Sequence, residues 1–198
     1  TSIDSNAFAN TELNSVILNE GLISIGTGAF TYSKISGNLV IPNSVTTIGA
    51  SAFSYCKGLT GDLTIPDSVT NLGESAFRYC TGFDGVLTIG TGLTSIRNIT
   101  FQQDSKFKKA IIGSGVTTIS YAAFEGFSDI WINNIPENVS VNENIGGNAE
   151  NPYIHWLDDT HKVTISTVPG VQLINTDTNE VLTSGNYMCD TSFNYKVK

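Results

Sequence analysis

The amino-acid sequence predicts a solenoid of short β-strands joined to a small all-β segment at its C-terminal end. Three observations predict this fold class. Phenylalanine recurs every 22 to 24 residues, an apolar–x–apolar triplet recurs between the phenylalanines, and both patterns fade beyond Ile132. A unit of this length cannot bury its own apolar face, whereas stacked copies form a continuous core. We therefore expect about six repeats over residues 1–145 and a second unit over residues 146–198.

The phenylalanine pattern predicts a compact turn in each repeat. Alanine precedes all but one of these phenylalanines, a branched aliphatic residue stands five positions before each, and glycine follows that aliphatic residue in three repeats. The phenylalanines are Phe8, Phe30, Phe53, Phe77, Phe101 and Phe124, and the glycines are Gly26, Gly49 and Gly73. We expect helical or 3-10 geometry in these turns, with glycine supplying a positive φ or a close backbone approach.

The recurring triplets predict one short strand per repeat, because apolar residues two apart have the period of a strand with one buried face. The middle residue of each triplet then points away from the core. We call these six residues the strand column: Ile17, Val40, Thr64, Thr88, Ile111 and Trp131. A tryptophan and three aliphatic residues make the column more apolar than solubility requires, so it is the candidate partner-binding surface.

The run from Leu63 to Phe83, LTIPDSVTNLGESAFRYCTGF, resembles the leucine-rich repeat of the BspA type. This resemblance implies a right-handed leucine-rich-repeat solenoid on an exported bacterial cell-surface protein. It also implies adhesion to host matrix proteins or to other bacteria, with a protein partner bound at the exposed sheet face. The family has no catalytic residues to transfer to this chain. One departure is the fifth copy, where Thr100 replaces the alanine.

Residues 146–198 follow a different pattern. Gly146–Pro152 is rich in turn-forming residues, and the alternating runs beyond it are separated by turn signals typical of hairpins. A segment of this size has a marginal core by itself, so we favour a C-terminal cap that packs on the last repeat. The alternative is the opening of a larger β module.

The charge balance excludes some partners. Charged residues make up 14% of the chain, against roughly 25% in an average soluble domain. Ten basic and eighteen acidic residues give a net charge of −8, and an acidic chain repels phosphate, so no nucleic-acid partner is expected. No apolar run is long enough to cross a bilayer, so no membrane insertion is expected within this chain. Because no basic, apolar leader begins at Thr1, we expect a mature or trimmed extracellular chain.

Few residues suggest chemistry. Cys56 and Cys80 each follow a repeat phenylalanine by three positions. A disulfide or a metal pair would fit this spacing, but we favour small buried ladder residues. The two histidines, His155 and His161, lack further ligands at zinc spacing and belong to no nucleophile motif. We therefore predict no enzymatic activity, no cofactor and no metal.

The leading hypothesis is a non-enzymatic binding module of a bacterial surface protein. The alternatives are a structural spacer of a larger surface protein, or a glycan-binding accessory that uses Tyr153, His155 and Trp156 as a sugar platform. Trp131 separates two interpretations of the strand column. Either it is exposed for a partner, or residues 150–198 fold back and cover it. We favour the second, because a short β segment must bury its own apolar face.

Overall fold

The computed structural model of the chain describes residues 1–104, 106–127, 129–132, 140–142 and 145–146, together with the backbone of six strands between residues 153 and 197. For residues 129, 131 and 132 the backbone alone is described. Over the repeats the architecture is a β-solenoid with one coil for each sequence repeat. The solenoid that the repeat length predicts is therefore confirmed.

One row of strands contains the branched aliphatic residue that stands five positions before each phenylalanine, and this residue is the last of its strand. Four of these strands form a parallel sheet: β1 (Ser2–Ile3), β2 (Ser24–Ile25), β4 (Thr47–Ile48) and β7 (Asn71–Leu72). Three more continue the row as a second sheet: β9 (Ser95–Ile96), β11 (Thr118–Ile119) and β13 (Ser140–Val141). A short parallel pair joins β3 (Ser36–Gly37) to β5 (Gly58–Leu59). The aliphatic residues of the row are buried, except at its two ends, where they are half-buried.

The largest sheet has eight strands, of which the first five are parallel. These are β6 (Leu63–Ile65), β8 (Val86–Ile89), β10 (Lys109–Ile112), β12 (Asp129–Ile132) and β14 (Tyr153–Trp156). Thr64 lies beside Thr88 in the register of β6 and β8. Ile111 lies between Thr88 and Trp131 in the next three strands. Equivalent residues of consecutive repeats are therefore neighbours, as the triplets predict.

Three antiparallel strands extend this sheet beyond β14. They are β19 (Asn194–Val197), β16 (Leu173–Asn175) and β17 (Val181–Leu182), in that spatial order. A separate antiparallel pair joins β15 (Lys162–Ile165) to β18 (Gly185–Met188). The alternating runs of the C-terminal segment thus coincide with strands. The division at residue 146 and the function of this segment as a cap stay predictions.

Stacked phenylalanine rings form the centre of the core. From Phe8 to Phe124, ring centroids of successive repeats lie 5.1 to 5.7 Å apart, with interplanar angles of 14° or less. All of these rings except Phe8 are fully buried. A second stack joins Phe83, Phe107 and Phe127 at centroid distances of 5.0 and 5.5 Å. The phenylalanine interval predicts the first stack, whereas the second was not predicted.

The compact turns are not helical, and that expectation was wrong. The described residues contain neither an α-helix nor a 3-10 helix. In the second coil the amide of Thr31 donates to a carbonyl three residues back, whereas those of Phe30 and Tyr32 donate to carbonyls of the next coil. Gly28 and Tyr32 have φ values of 63° and 55°, and a left-handed residue at every fourth position interrupts a right-handed helix. Half of the amides that would build a helix therefore join one coil to the next.

The repeat glycines serve close packing between coils. A Cβ atom on Gly73 would lie 2.2 Å from the backbone nitrogen of Ala50, and one on Gly49 would lie 2.5 Å from that of Thr27. Neither glycine, nor the equivalent Gly26, has a positive φ. Of the two expected functions, close backbone approach is the correct one.

Candidate functional site

Thr64, Thr88 and Ile111 of the strand column lie on the outer face of the eight-stranded sheet. Thr64 is exposed, and Thr88 and Ile111 are half-buried, while the residues on either side of each one in its strand are largely or fully buried. This alternation is the period of a strand with one face in the core. The structure therefore brings these three predicted site residues together in one row.

Ile17 and Val40 occupy the same repeat position in the first two coils, outside the assigned strands. Their side chains are 84% and 65% exposed, which makes them the most exposed large apolar residues in the described part of the chain. Apolar side chains exposed at adjacent repeat positions are typical of a surface that a partner covers. Among the column residues whose side chains are described, the most exposed apolar ones thus lie at the N-terminal end.

The C-terminal end of the strand column is described by its backbone. Trp131 lies between Ile111 and His155 in the sheet register, so its strand is an interior one. The side chains of Trp131, Tyr153, His155 and Trp156 lie outside the described residues. Both interpretations of Trp131, and the proposed sugar platform, therefore stay predictions.

The two repeat cysteines occupy a buried column three positions after the phenylalanines. The thiol of Cys56 donates a hydrogen bond to the carbonyl of Phe30, and that of Cys80 to the carbonyl of Phe53, both at 3.0 Å. Burial raises the pKa of Cys56 to about 11, although hydrogen bonding to Ser33 opposes the shift. Burial also raises the pKa of Cys80. Protonated, buried thiols are poor nucleophiles, and the interpretation of small buried ladder residues is confirmed.

Asp104 continues this column in the fifth coil, and the sequence analysis missed it. Its side chain is fully buried, and neither carboxylate oxygen has a hydrogen-bond partner among the described residues. Burial raises the pKa of Asp104 well above its usual range. The backbone amide of Cys80 opposes this shift. Asp104 is therefore a buried carboxyl group whose protonated form is favoured by folding.

Three stacked tyrosines form a further column, which the sequence analysis also missed. We call Tyr32, Tyr55 and Tyr79 the tyrosine ladder. Their ring centroids lie 4.3 and 4.7 Å apart, with interplanar angles of 14° and 16°. Each tyrosine follows a repeat phenylalanine by two positions, and this fixed offset was the available signal.

Neither a metal cluster nor a membrane span is found in the described parts of the chain. Over those residues, no group of three or more His, Cys, Asp or Glu side chains is arranged to hold a metal ion. The same stretch includes no helix with the length and apolarity to span a membrane. His155 and His161 belong to the part whose side chains are not described.

The coil repeat, the strand register and the phenylalanine core together define a leucine-rich-repeat solenoid. The chain matches the BspA type leucine rich repeat region in six copies over residues 1–131 of 198, and it belongs to this family. No curated protein matches the chain. Leucine-rich repeats are generally protein-interaction modules. This family is associated with bacterial surface proteins and is typically non-enzymatic.

Proposed function

We propose that this chain is a non-enzymatic adhesion module of an exported bacterial surface protein. It binds a protein partner, on host matrix or on other bacteria, through the strand column. One observation supports this proposal. Ile17 is 84% exposed and Val40 is 65% exposed, and both occupy the same position in their repeats. A partner that covers both residues removes apolar surface from water at no cost in buried charge.

The test is a binding screen of the 198-residue chain against host matrix proteins and bacterial surface proteins, followed by substitution of the column. The test variant carries Ile17→Thr and Val40→Thr. Its first two coils then have threonine at the column position, as later coils have at Thr64 and Thr88. Both positions are exposed and lie outside the assigned strands, so the free energy of unfolding should change by under about 1 kcal/mol. Binding should weaken by about tenfold or more, as for truncation of interface hot spots.

Ile23→Thr is the matched control. Ile23 is 47% exposed and lies at the repeat position that holds Thr46 in the next coil. The substitution makes the same isoleucine-to-threonine change as Ile17→Thr, but outside the strand column, and we expect unchanged affinity. Equal weakening by the control would place the binding surface elsewhere. A screen in which no protein is retained would favour the structural spacer.

A further inference from the structure

The tyrosine ladder is partly exposed to solvent. Burial raises the pKa of Tyr32, and a hydrogen bond between the side chains of Tyr32 and Tyr55 also contributes to this rise. Because the rings are nearly parallel and 4.3 to 4.7 Å apart, each inner ring face is covered by its neighbour. Tyr32 is 54% exposed, while Tyr55 and Tyr79 are half-buried. The edge of an aromatic ring is the positive part of its quadrupole, and a phenol O–H donates a hydrogen bond. The exposed part of the ladder is therefore suited to anionic groups.

Two cationic side chains lie against the ladder. The ammonium nitrogen of Lys57 is 5.9 Å from the ring centroid of Tyr55, and the guanidinium carbon of Arg78 is 5.0 Å from that of Tyr79. Neither forms an ion pair within the described residues. The side chain of Arg78 donates to the neutral amide of Gln102 at 2.6 Å.

Two carboxylates of the repeats have partners of their own. Glu12 pairs with Lys34 at 2.7 Å, and Glu125 accepts hydrogen bonds from Gln102 and Gln103, two coils beyond Arg78. Among the described residues, no ion pair neutralises the charge of Lys57 or Arg78.

The repeats that carry the ladder are close to neutral overall. Residues 1–124 contain eight acidic and seven basic residues, and Asp104 is one of the eight. The remaining ten acidic and three basic residues of the chain follow in residues 125–198. The excess of negative charge is therefore concentrated in the C-terminal part of the sequence. Residues 1–96 contain seven acidic and three basic residues, and two of these three, Lys57 and Arg78, lie against the ladder.

We propose that the tyrosine ladder, with Lys57 and Arg78, is a second interaction surface that binds an extended acidic segment of a protein partner. Carboxylate side chains of that segment accept hydrogen bonds from the tyrosine hydroxyls and pair with the two cations. A protein segment fits better than a sugar chain, because sugars stack on ring faces and the inner faces here are occupied. This surface is distinct from the strand column, so the two proposals stand or fall separately.

The probe for this surface is a fluorescently labelled oligoglutamate peptide, with oligoglutamine and oligoglucuronate as comparisons. The test variant carries Lys57→Gln and Arg78→Gln. The matched control carries Arg97→Gln and Lys106→Gln, which removes two exposed cations at other repeat positions and produces the same net charge. Fluorescence anisotropy of the 198-residue chain measures affinity, and thermal unfolding verifies that both variants are folded.

Oligoglutamate should bind with an affinity that falls as salt is added, and oligoglutamine should not bind. The test variant should lose about tenfold in affinity, and the control less than about twofold. Absence of saturable oligoglutamate binding would overturn the proposal. An equal loss of affinity in the control variant would show that the peptide is attracted by overall charge and not by this surface. Equal or tighter binding of oligoglucuronate would show that the surface binds glycans. Each of these results also overturns the proposal.

Discussion

Asp104 makes the stability of the solenoid depend on pH in a direction that is unusual for a carboxyl group. Most acidic side chains that interact in a folded protein are held ionised, and they stabilise it above their unfolded pKa. Asp104 is fully buried without a hydrogen-bond partner among the described residues, and burial raises its pKa well above the usual range. The folded chain therefore binds a proton that the unfolded chain releases.

The sign and size of the effect follow from proton linkage. An unfolded aspartate has a pKa of about 3.9, so above this pH the unfolded state holds fewer protons at Asp104 than the folded state does. The contribution of Asp104 is fully present below the unfolded pKa, and it is lost as pH rises towards the raised folded pKa. The free energy of unfolding then falls by roughly 1.4 kcal/mol for each pH unit in that window. Within that window, a change of one pH unit is therefore a measurable part of a typical total stability of about 5–15 kcal/mol.

Urea unfolding at pH 5, 6, 7 and 8 measures this slope for the wild-type chain, for Asp104→Cys and for Asp104→Asn. Cysteine is the residue that the same column holds as Cys56 and Cys80, whose raised pKa values keep them protonated over this range. Both variants should lose the slope attributed to Asp104, and the cysteine variant should be the more stable protein at pH 8. If Asp104→Cys keeps the wild-type slope, the carboxyl is ionised in the folded state and the reasoning is refuted.

Two further predictions concern the core. Phe77→Ala should lower the free energy of unfolding by roughly 3–5 kcal/mol, because Phe53 and Phe101 stack on its two faces at 5.1 and 5.7 Å; an unchanged urea midpoint would contradict the proposed core. Cys56 and Cys80 should resist iodoacetamide at pH 8 in the folded chain and react in urea, since both thiols are buried and protonated. Mass spectrometry of the labelled chain measures this, and rapid labelling without urea would show that the thiols are accessible.

The repeated parts of the fold could be predicted because a fixed interval carries information about three-dimensional neighbours. Thr64 and Thr88 are 24 residues apart in the sequence and adjacent in the sheet. The same reasoning places Phe53 against Phe77 at a centroid distance of 5.1 Å. Neither inference needs the conformation of the intervening chain, since stacking alone requires equivalent residues to meet.

The conformation of the turns could not be predicted in this way. A short Ala-Phe segment permits amide hydrogen bonds within a coil or between coils, and the residue pattern is the same in both cases. Tyr55, at φ 62°, occupies a left-handed position that no propensity rule assigns to tyrosine. Asp104 and the tyrosine ladder were missed for a simpler reason. Asp104 is the only acidic residue at its repeat position, and tyrosine occupies the ladder position in three repeats and not in the others, so neither forms a pattern that runs through all repeats.

The candidate surfaces differ in how they vary along the solenoid, and this variation indicates where specificity resides. Each coil contributes one residue to the strand column and one to the position of the tyrosine ladder. The column is apolar at Ile17 and Val40, changes to threonine at Thr64 and Thr88 and is apolar again at Ile111 and Trp131, whereas the ladder begins at Tyr32 and is replaced by Gln103 beyond Tyr79. Among the described side chains, the most exposed apolar and aromatic ones, Ile17, Val40 and Tyr32, lie in the first two coils. These coils are also distant in sequence from residues 125–198, which carry ten acidic and three basic residues. Residues 1–96 contain seven acidic and three basic residues, so attraction of an acidic segment to these coils depends on the two cations beside the ladder, Lys57 and Arg78, and not on the net charge of the coils.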